Sequence, residues 1–240
     1  MKILQTLLSS SINKKNDMIF YFAGIDCFVN DKKYEKLLSS YELDLANSKS
    51  NSLEGNLYIK QRLILRSIIA YFSGIELTEV KIDFTSAKPK CLLNNIHDFN
   101  ISHSDNTMAV VLSNQSRCGI DVEFIRSLKY KDKIMKRFFS FDEIAVINRS
   151  IDAKSEFFRH WTLKEASVKC FSKGMYGNAK NYNIVADRVV CIEDNENIYC
   201  KTMQLKNGFL SVAFAEKVHE ISFVSYDFAK DYCGGVMIYL

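Results

Sequence analysis

Two carboxylates stand two residues apart in the segment Gly119-Ile120-Asp121-Val122-Glu123. Alternate side chains of an extended strand share a face, so Asp121 and Glu123 project together while Ile120 and Val122 turn towards a core. Like charges held side by side repel, and a site that keeps both ionised wants a cation between them. An all-oxygen set of this kind suits Mg²⁺, completed by water and substrate phosphate. The same pair also fits a solvated acidic strand edge, and spacing alone does not choose between the two.

Three further clusters carry chemistry-bearing side chains. Trp161, Glu165 and Lys169 recur at four-residue spacing in Trp161-Thr162-Leu163-Lys164-Glu165-Ala166-Ser167-Val168-Lys169. In a helix they fall roughly on one face, either as an exposed ion pair or as groups presented to a ligand. Lys164 lies off that face, solvated or against a partner. Phe99-Asn100-Ile101-Ser102-His103-Ser104 alternates like a strand. At its end the Ser102 hydroxyl and the His103 imidazole can reach a phosphate, or serve as ordinary satisfied polar groups. In Lys88-Pro89-Lys90 the proline holds Lys88 extended, so two lysines flank a rigid turn that suits an anion or a solvated loop.

These clusters need elements to hold them. Met18–Ile25 reads as a buried strand from its aromatic and β-branched content. Asp31–Ser40 reads as a short helix. Ser52–Phe72 reads as a long one, with Leu57, Leu63, Ile64, Ile68 and Tyr71 near helical spacing and Gly74 past its end. Asn100–His103 and Met108–Leu112 are expected strands joined at Ser104-Asp105-Asn106, and Cys118–Val122 is another. Lys131–Phe139 and Asp142–Arg149 are expected helices, and Ser155–Phe171 is a second long one stopped near Gly174. Strands then follow over Ile184–Val190, Ile198–Leu205, Phe209–Ala215 and Ile221–Ser225. This order gives two α+β halves meeting near residues 113–118.

The bulk properties narrow the class. The chain has 240 residues, 48% hydrophobic and 25% charged, which is ordinary for a globular protein with a substantial core. A net charge of +4 without concentrated Lys or Arg argues against nucleic acid and leaves room for a local anionic ligand or an acidic partner. The seven cysteines are scattered, without a metal-ligand spacing, and read as reduced thiols in a cytoplasmic protein. The apolar run at residues 3–8 is too short for a secretory core, and no stretch approaches the ~20 apolar residues of a membrane span.

Taken in order, Lys88-Pro89, the Phe99–Ser104 segment, Gly119–Glu123, Arg137-Phe138-Phe139-Ser140 with Glu143, and Trp161–Lys169 resemble the 4′-phosphopantetheinyl transferase superfamily. The resemblance is to its longer, surfactin-synthetase-activating type and runs from about Arg62 to Gly174. It implies an α+β pseudodimer of two similar subdomains, residues 1–115 and 116–240, each a small antiparallel sheet packed on a long helix, and a monomer. It further implies Mg²⁺ held by Asp121, Glu123 and Glu165. Glu165 would also be a candidate base, and Lys169 a catalytic contact to the pyrophosphate of coenzyme A. Lys88, Ser102 and His103 would be further coenzyme A contacts. Two departures stand out. Ala87 replaces the family's glycine before Lys88, and the region of about Tyr41–Leu57, basic in the family, holds only Lys49. Lys60, Arg62 and Arg66 are the available stand-ins for gripping the 3′-phosphate.

The implied reaction moves the phosphopantetheine arm of coenzyme A onto a serine of an apo acyl or peptidyl carrier protein and releases 3′,5′-ADP. Either Glu165 or a metal-bound water would accept the serine proton. The competing readings are a degenerate coenzyme A-binding protein without transfer activity and a Mg²⁺-dependent pyrophosphate hydrolase that needs no carrier.

Overall fold

The computed structural model describes residues 17–29, 32–84, 88–172, 175, 179–185, 188–191, 196–218, 220–230 and 232–239. Ala87, Gly174 and the apolar run at residues 3–8 lie outside them.

Twelve described strands form two five-stranded sheets and one two-stranded ribbon. The first sheet is built on β1 (Asp17–Ala23), β4 (Asp98–Ser104) and β5 (Thr107–Ser113). It also takes β11 (Glu220–Asp227) and β12 (Tyr232–Tyr239) from the far end of the chain, in the order β12-β11-β1-β5-β4. All its pairings are antiparallel except β1 with β11, which run parallel. The second sheet is antiparallel, in the order β6-β10-β9-β8-β7. Its strands are β6 (Cys118–Phe124), β7 (Tyr182–Val185), β8 (Arg188–Cys191), β9 (Glu196–Leu205) and β10 (Gly208–Phe214). The short strands β2 (Ile82–Asp83) and β3 (Lys90–Cys91) pair with each other.

Helix α1 (Ser40–Asn47) precedes the long helix α2 (Ser52–Ser73), and α3 (Lys131–Phe138), α4 (Phe141–Arg149) and α5 (Ala153–Cys170) follow β6. The helix ends obey local chemistry. Asn51 accepts the Glu54 amide at 2.9 Å at the start of α2, and Gly74 ends it in the left-handed region at φ 68°. The sequence expectation of a helix over Asp31–Ser40 is corrected. Lys32–Leu37 is a 3₁₀ turn, and the α-helix starts after it, where Ser39 and Glu42 form a reciprocal capping box. Ile184–Val190, expected as one strand, is the β7–β8 hairpin.

The layers follow from burial. Ile64, Leu65, Ile68 and Phe72 of α2 pack with Met18, Phe20, Phe99 and Val110 on one face of the first sheet. Phe157, Leu163, Ala166 and Cys170 of α5 pack with Val189, Ile198 and Ala213 on one face of the second. A third core joins the sheets through Ile19, Ala109 and Val111 on one side and Ile120, Val122, Leu210 and Val212 on the other. Ile120 and Val122 thus face the core as their alternation requires. The expected division at 115/116 falls where the chain passes from the first sheet to the second, but β11 and β12 return to the first. No helix among the described residues is long and apolar enough to cross a membrane.

Candidate functional site

The site lies where the two sheets meet edge to edge. β4 and β6 are edge strands of different sheets, and polar side chains of β4 stitch them together. Asp98 Oδ2 accepts the Cys118 amide at 2.8 Å, Asn100 Oδ1 accepts that of Ile120 at 3.1 Å, and Ser102 Oγ accepts that of Val122 at 3.3 Å. These residues are two apart in β4, so one face of the strand supplies every partner. The register brings the Ser102 and Ser104 hydroxyls onto the two carboxylates: Ser102 Oγ donates to Asp121 Oδ1 at 2.8 Å, and Ser104 Oγ donates to Glu123 Oε2 at 3.1 Å.

Helix α5 closes the site from the other side. It can approach β6 closely because residue 119 is glycine: a Cβ there would collide with the Ala166 carbonyl and lie 2.5 Å from the Cys170 amide nitrogen. Lys169 donates to Asp121 Oδ1 at 2.5 Å and to Ser102 Oγ at 3.3 Å, and stands 3.4 Å from Glu165 Oε2. Its ammonium therefore bridges the two carboxylates. Glu123 is paired separately, with Arg126 Nη1 at 2.5 Å.

The charges are unevenly satisfied. Asp121 Oδ2 is buried with no hydrogen-bond partner. Burial, then the Asp121 charge, push the Glu165 carboxyl up to about 7, against the pull of Lys169. Burial pulls the Lys169 ammonium down, but the charges of Asp121 and Glu165 outweigh it and leave its pKa above the ordinary value. A carboxylate oxygen without a partner beside a carboxyl reluctant to ionise is an unmet demand for positive charge. The donors are hard oxygens, which fit Mg²⁺. Among the described residues no three Asp, Glu, His or Cys side chains converge as a ligand set, and here Lys169 and Arg126 neutralise Asp121 and Glu123.

His103 sits on the opposite face of β4 from Ser102, towards α2. His103 is exposed, and crowding by the surrounding protein, then the charges of Lys169, Arg62 and Lys49, lower its pKa. Arg62 lies against the Tyr58 and Phe84 rings, at 4.6 and 4.9 Å to their centroids. Lys49 Nζ is 5.2 Å from the Tyr58 ring. Arg62 Nε and Nη1 and Tyr58 Oη are buried without hydrogen-bond partners. Two cations, Lys49 and Arg62, the latter with unused donors, thus cluster on the α2 side of the site. Sequence reading named Arg62 only as one of three stand-ins and missed Tyr58. Their four-residue spacing on α2 was the available signal. The other two stand-ins are engaged in the fold: Arg66 bonds Glu42 at 2.5 Å and the Leu37 carbonyl at 3.1 Å, and Lys60 donates to the Asp26 carbonyl at 2.5 Å.

Lys88 is held apart from the carboxylates. It bonds Asp98 and donates to the Cys118 carbonyl at 2.7 Å, at the far end of β6 from Glu123. It lines a cavity of about 260 Å³ with Lys90, His97 and Arg117. Lys164, read as solvated or partner-facing, is instead fully buried and bonds Glu143 at 2.8 Å and the carbonyls of Ala179 and Tyr182 at 3.1 and 2.8 Å. Trp161 packs among Phe138, Phe139 and Phe157. A cavity of about 720 Å³, lined by Phe28, Leu57, Lys60, Asp105 and Asn106 among others, opens at the turn that follows Ser104.

Comparison with known proteins agrees with the motif reading. Residues 117–232 match the model of the 4′-phosphopantetheinyl transferase superfamily. The 4′-phosphopantetheinyl transferase HetI of a Nostoc species is 33% identical over 144 residues, 58% of this chain and 61% of that protein. The 4′-phosphopantetheinyl transferase gsp of Aneurinibacillus migulanus is 39% identical over 84 residues, 34% of each chain. AcpT of Salmonella typhimurium, a 4′-phosphopantetheinyl transferase, is 38% identical over 73 residues, 30% of this chain and 38% of that protein. The chain thus spans about three fifths of HetI's length and less of the other two. The resemblance read from the motifs to the phosphopantetheinyl transferase superfamily is borne out.

Proposed function

We propose that this chain transfers the 4′-phosphopantetheine of coenzyme A to a serine of an apo carrier protein, releasing 3′,5′-ADP. The observation that carries the reading is the buried, half-partnered Asp121 carboxylate facing Glu165 and Lys169. Asp121, Glu123 and Glu165 would hold Mg²⁺, which supplies charge neutralisation for a pyrophosphate. Lys169 places a positive charge where charge grows on the departing phosphate. Glu165 is the group of this chain placed beside Asp121 and Lys169 to accept the serine proton. Ser102 and Ser104 position Asp121 and Glu123 by donating to them. Lys88, on the basic cavity beside Asp98, is a further coenzyme A contact.

In this reading the Arg62, Lys49, Tyr58 and His103 cluster takes the 3′-phosphate in place of the basic residues missing upstream of α2, supported by the unpartnered Arg62 and Tyr58 polar atoms. The cavity beside Asp105 leaves room for the pantetheine arm and the incoming serine. The protein is cytoplasmic and monomeric in this reading. Its two halves, each a sheet packed on a long helix, are two similar subdomains that face one another as a pseudodimer.

Intact-protein mass spectrometry tests the reading. An apo carrier incubated with the protein, coenzyme A and Mg²⁺ gains the mass of one phosphopantetheine. EDTA or Asp121→Ala abolishes the gain, while the variant keeps its circular dichroism. No gain with any carrier, with coenzyme A still bound by calorimetry, leaves a degenerate binder. Release of phosphopantetheine without a carrier identifies a hydrolase.

A further inference from the structure

Three acids compose the candidate ligand set, and the chain gives them two cations of its own. Lys169 stands between Asp121 and Glu165, and Arg126 holds Glu123. The two cations are held very differently. Lys169 projects from α5, shares Asp121 Oδ1 with the Ser102 hydroxyl, and meets a carboxylate only 4% exposed. Arg126 lies in the loop that follows β6, three residues past its partner, and its side chain is 48% exposed. A pair so open to water stabilises little and costs little to break.

Glu123 does not depend on Arg126 for its place. Ser104 Oγ donates to the same oxygen, Oε2, at 3.1 Å, where Arg126 Nη1 donates at 2.5 Å. Arg126 in turn has other company. It donates to the Phe124 carbonyl at 3.3 Å, and its guanidinium lies 5.6 Å from the Phe158 ring of α5. Asp105, exposed at the turn after β4, and Asp121 are the further acids whose charges reach it. The guanidinium can therefore leave Glu123 without being stranded.

We propose that Arg126 is a positioning residue that acts as an exchangeable counter-ion. It neutralises Glu123 until a divalent cation takes that carboxylate, so the strength of the Arg126–Glu123 pair sets part of the cation affinity. The inference rests on the reading of Asp121, Glu123 and Glu165 as the ligand set. A carboxylate held by a guanidinium is open to a cation only in the fraction of molecules where the pair is broken, and the apparent affinity falls by that fraction. A pair closed in roughly two thirds to nine tenths of molecules lowers it about three- to tenfold. In return, Asp121 and Glu123, which share one face of β6, are both neutralised before any cation arrives.

The test reads Mn²⁺ binding to the full chain with no substrate present, by calorimetry and by the paramagnetic resonance signal of free Mn²⁺. This ion suits the same hard oxygen donors as Mg²⁺. Wild type, Arg126→Gln, Glu123→Gln and the Glu123→Gln/Arg126→Gln double variant are compared at one ionic strength, once circular dichroism shows all four folded. Arg126→Gln binds Mn²⁺ about three- to tenfold more tightly than the wild type. Losing a positive charge also favours a cation through space, and the double variant separates the two effects. With Glu123 replaced there is no pair to break, and the same substitution gives no gain. An equal gain in both backgrounds overturns the proposal, because Arg126 is then a distant charge. Binding by the wild type that Arg126→Gln leaves unchanged or weakens overturns the exchange alone and keeps the ligand set. If neither the wild type nor Arg126→Gln binds Mn²⁺, the ligand set fails and the exchange falls with it.

Discussion

At the scale of single residues, the unmet charge around Asp121 has a consequence for stability as well as for chemistry. Glu165 moves from an ordinary 4.5 to about 7 in the folded chain, through burial and then the Asp121 charge. The folded state therefore holds this proton more tightly than the unfolded state. The stability it contributes is fully present below about 4.5 and is lost as pH rises through about 7. Glu165→Gln removes the ionisation and keeps the shape. In EDTA, the variant should be more stable than the wild type at pH 8 by about 1–3 kcal/mol, a few degrees in Tm, and nearly equal to it at pH 4. Transfer should vanish at both. Paired thermal melts at the two pH values check this. Equal melting at pH 8 would mean that Lys169 already satisfies Glu165 in full. Asp121, Glu123, Glu165 and Lys169 were legible because local spacing places each pair on one face of its own element. Tyr58 and Arg62 were not, because helical spacing cannot say that this face of α2 meets His103 of β4.

At the scale of elements, two motif segments with no obvious link turn out to be one joint. Ser140 caps α4 in a reciprocal box with Glu143. The same Glu143 receives Lys164 from α5 at 2.8 Å and the Ile184 amide at 2.9 Å. The lysine beside Glu165 thus holds the helix that carries Glu165, and takes no part in the site. Both partners are buried, so removing one strands the other's charge away from water. Lys164→Met should cost about 3–5 kcal/mol in urea unfolding at pH 7, while Lys129→Met on the surface should cost about 0.5 kcal/mol or less. A loss at Lys164 no larger than the surface control would show that Glu143 finds another cation or takes up a proton at little cost. Local patterns predicted α2, α5, β4, β5 and β6 well, since each has a clear period or a clear cap. They missed α1, although Ser39 and Glu42 carry the capping spacing, because an apolar stripe is weak in so short a helix.

At the scale of the whole molecule, strand propensity found Ile221–Ser225 but gave it no partner. Its parallel pairing with β1 joins residues some 200 positions apart in the chain. Such a pairing has no local signature, since register is set by which faces must be buried. It also changes what the two halves are thermodynamically. The chain enters the second sheet at β6 and returns to the first at β11, and Ile19, Ala109 and Val111 pack directly on Ile120, Leu210 and Val212. Separating the sheets would expose that core and break the β4–β6 stitching together, so neither half should unfold alone. The single tryptophan makes this testable. Trp161 packs with Phe138, Phe139 and Phe157 in the core under α5, so its fluorescence reports on the second sheet's side only. Far-ultraviolet circular dichroism reports on both sides. In urea the two signals should give coincident transitions with one midpoint, and Ile120→Ala, which opens a cavity between the sheets, should move both midpoints down together by the equivalent of about 2–4 kcal/mol. Separate midpoints would make the halves independent folding units. The site at their junction would then depend on docking between two preformed halves, and Ile120→Ala would weaken transfer well before it unfolded either one.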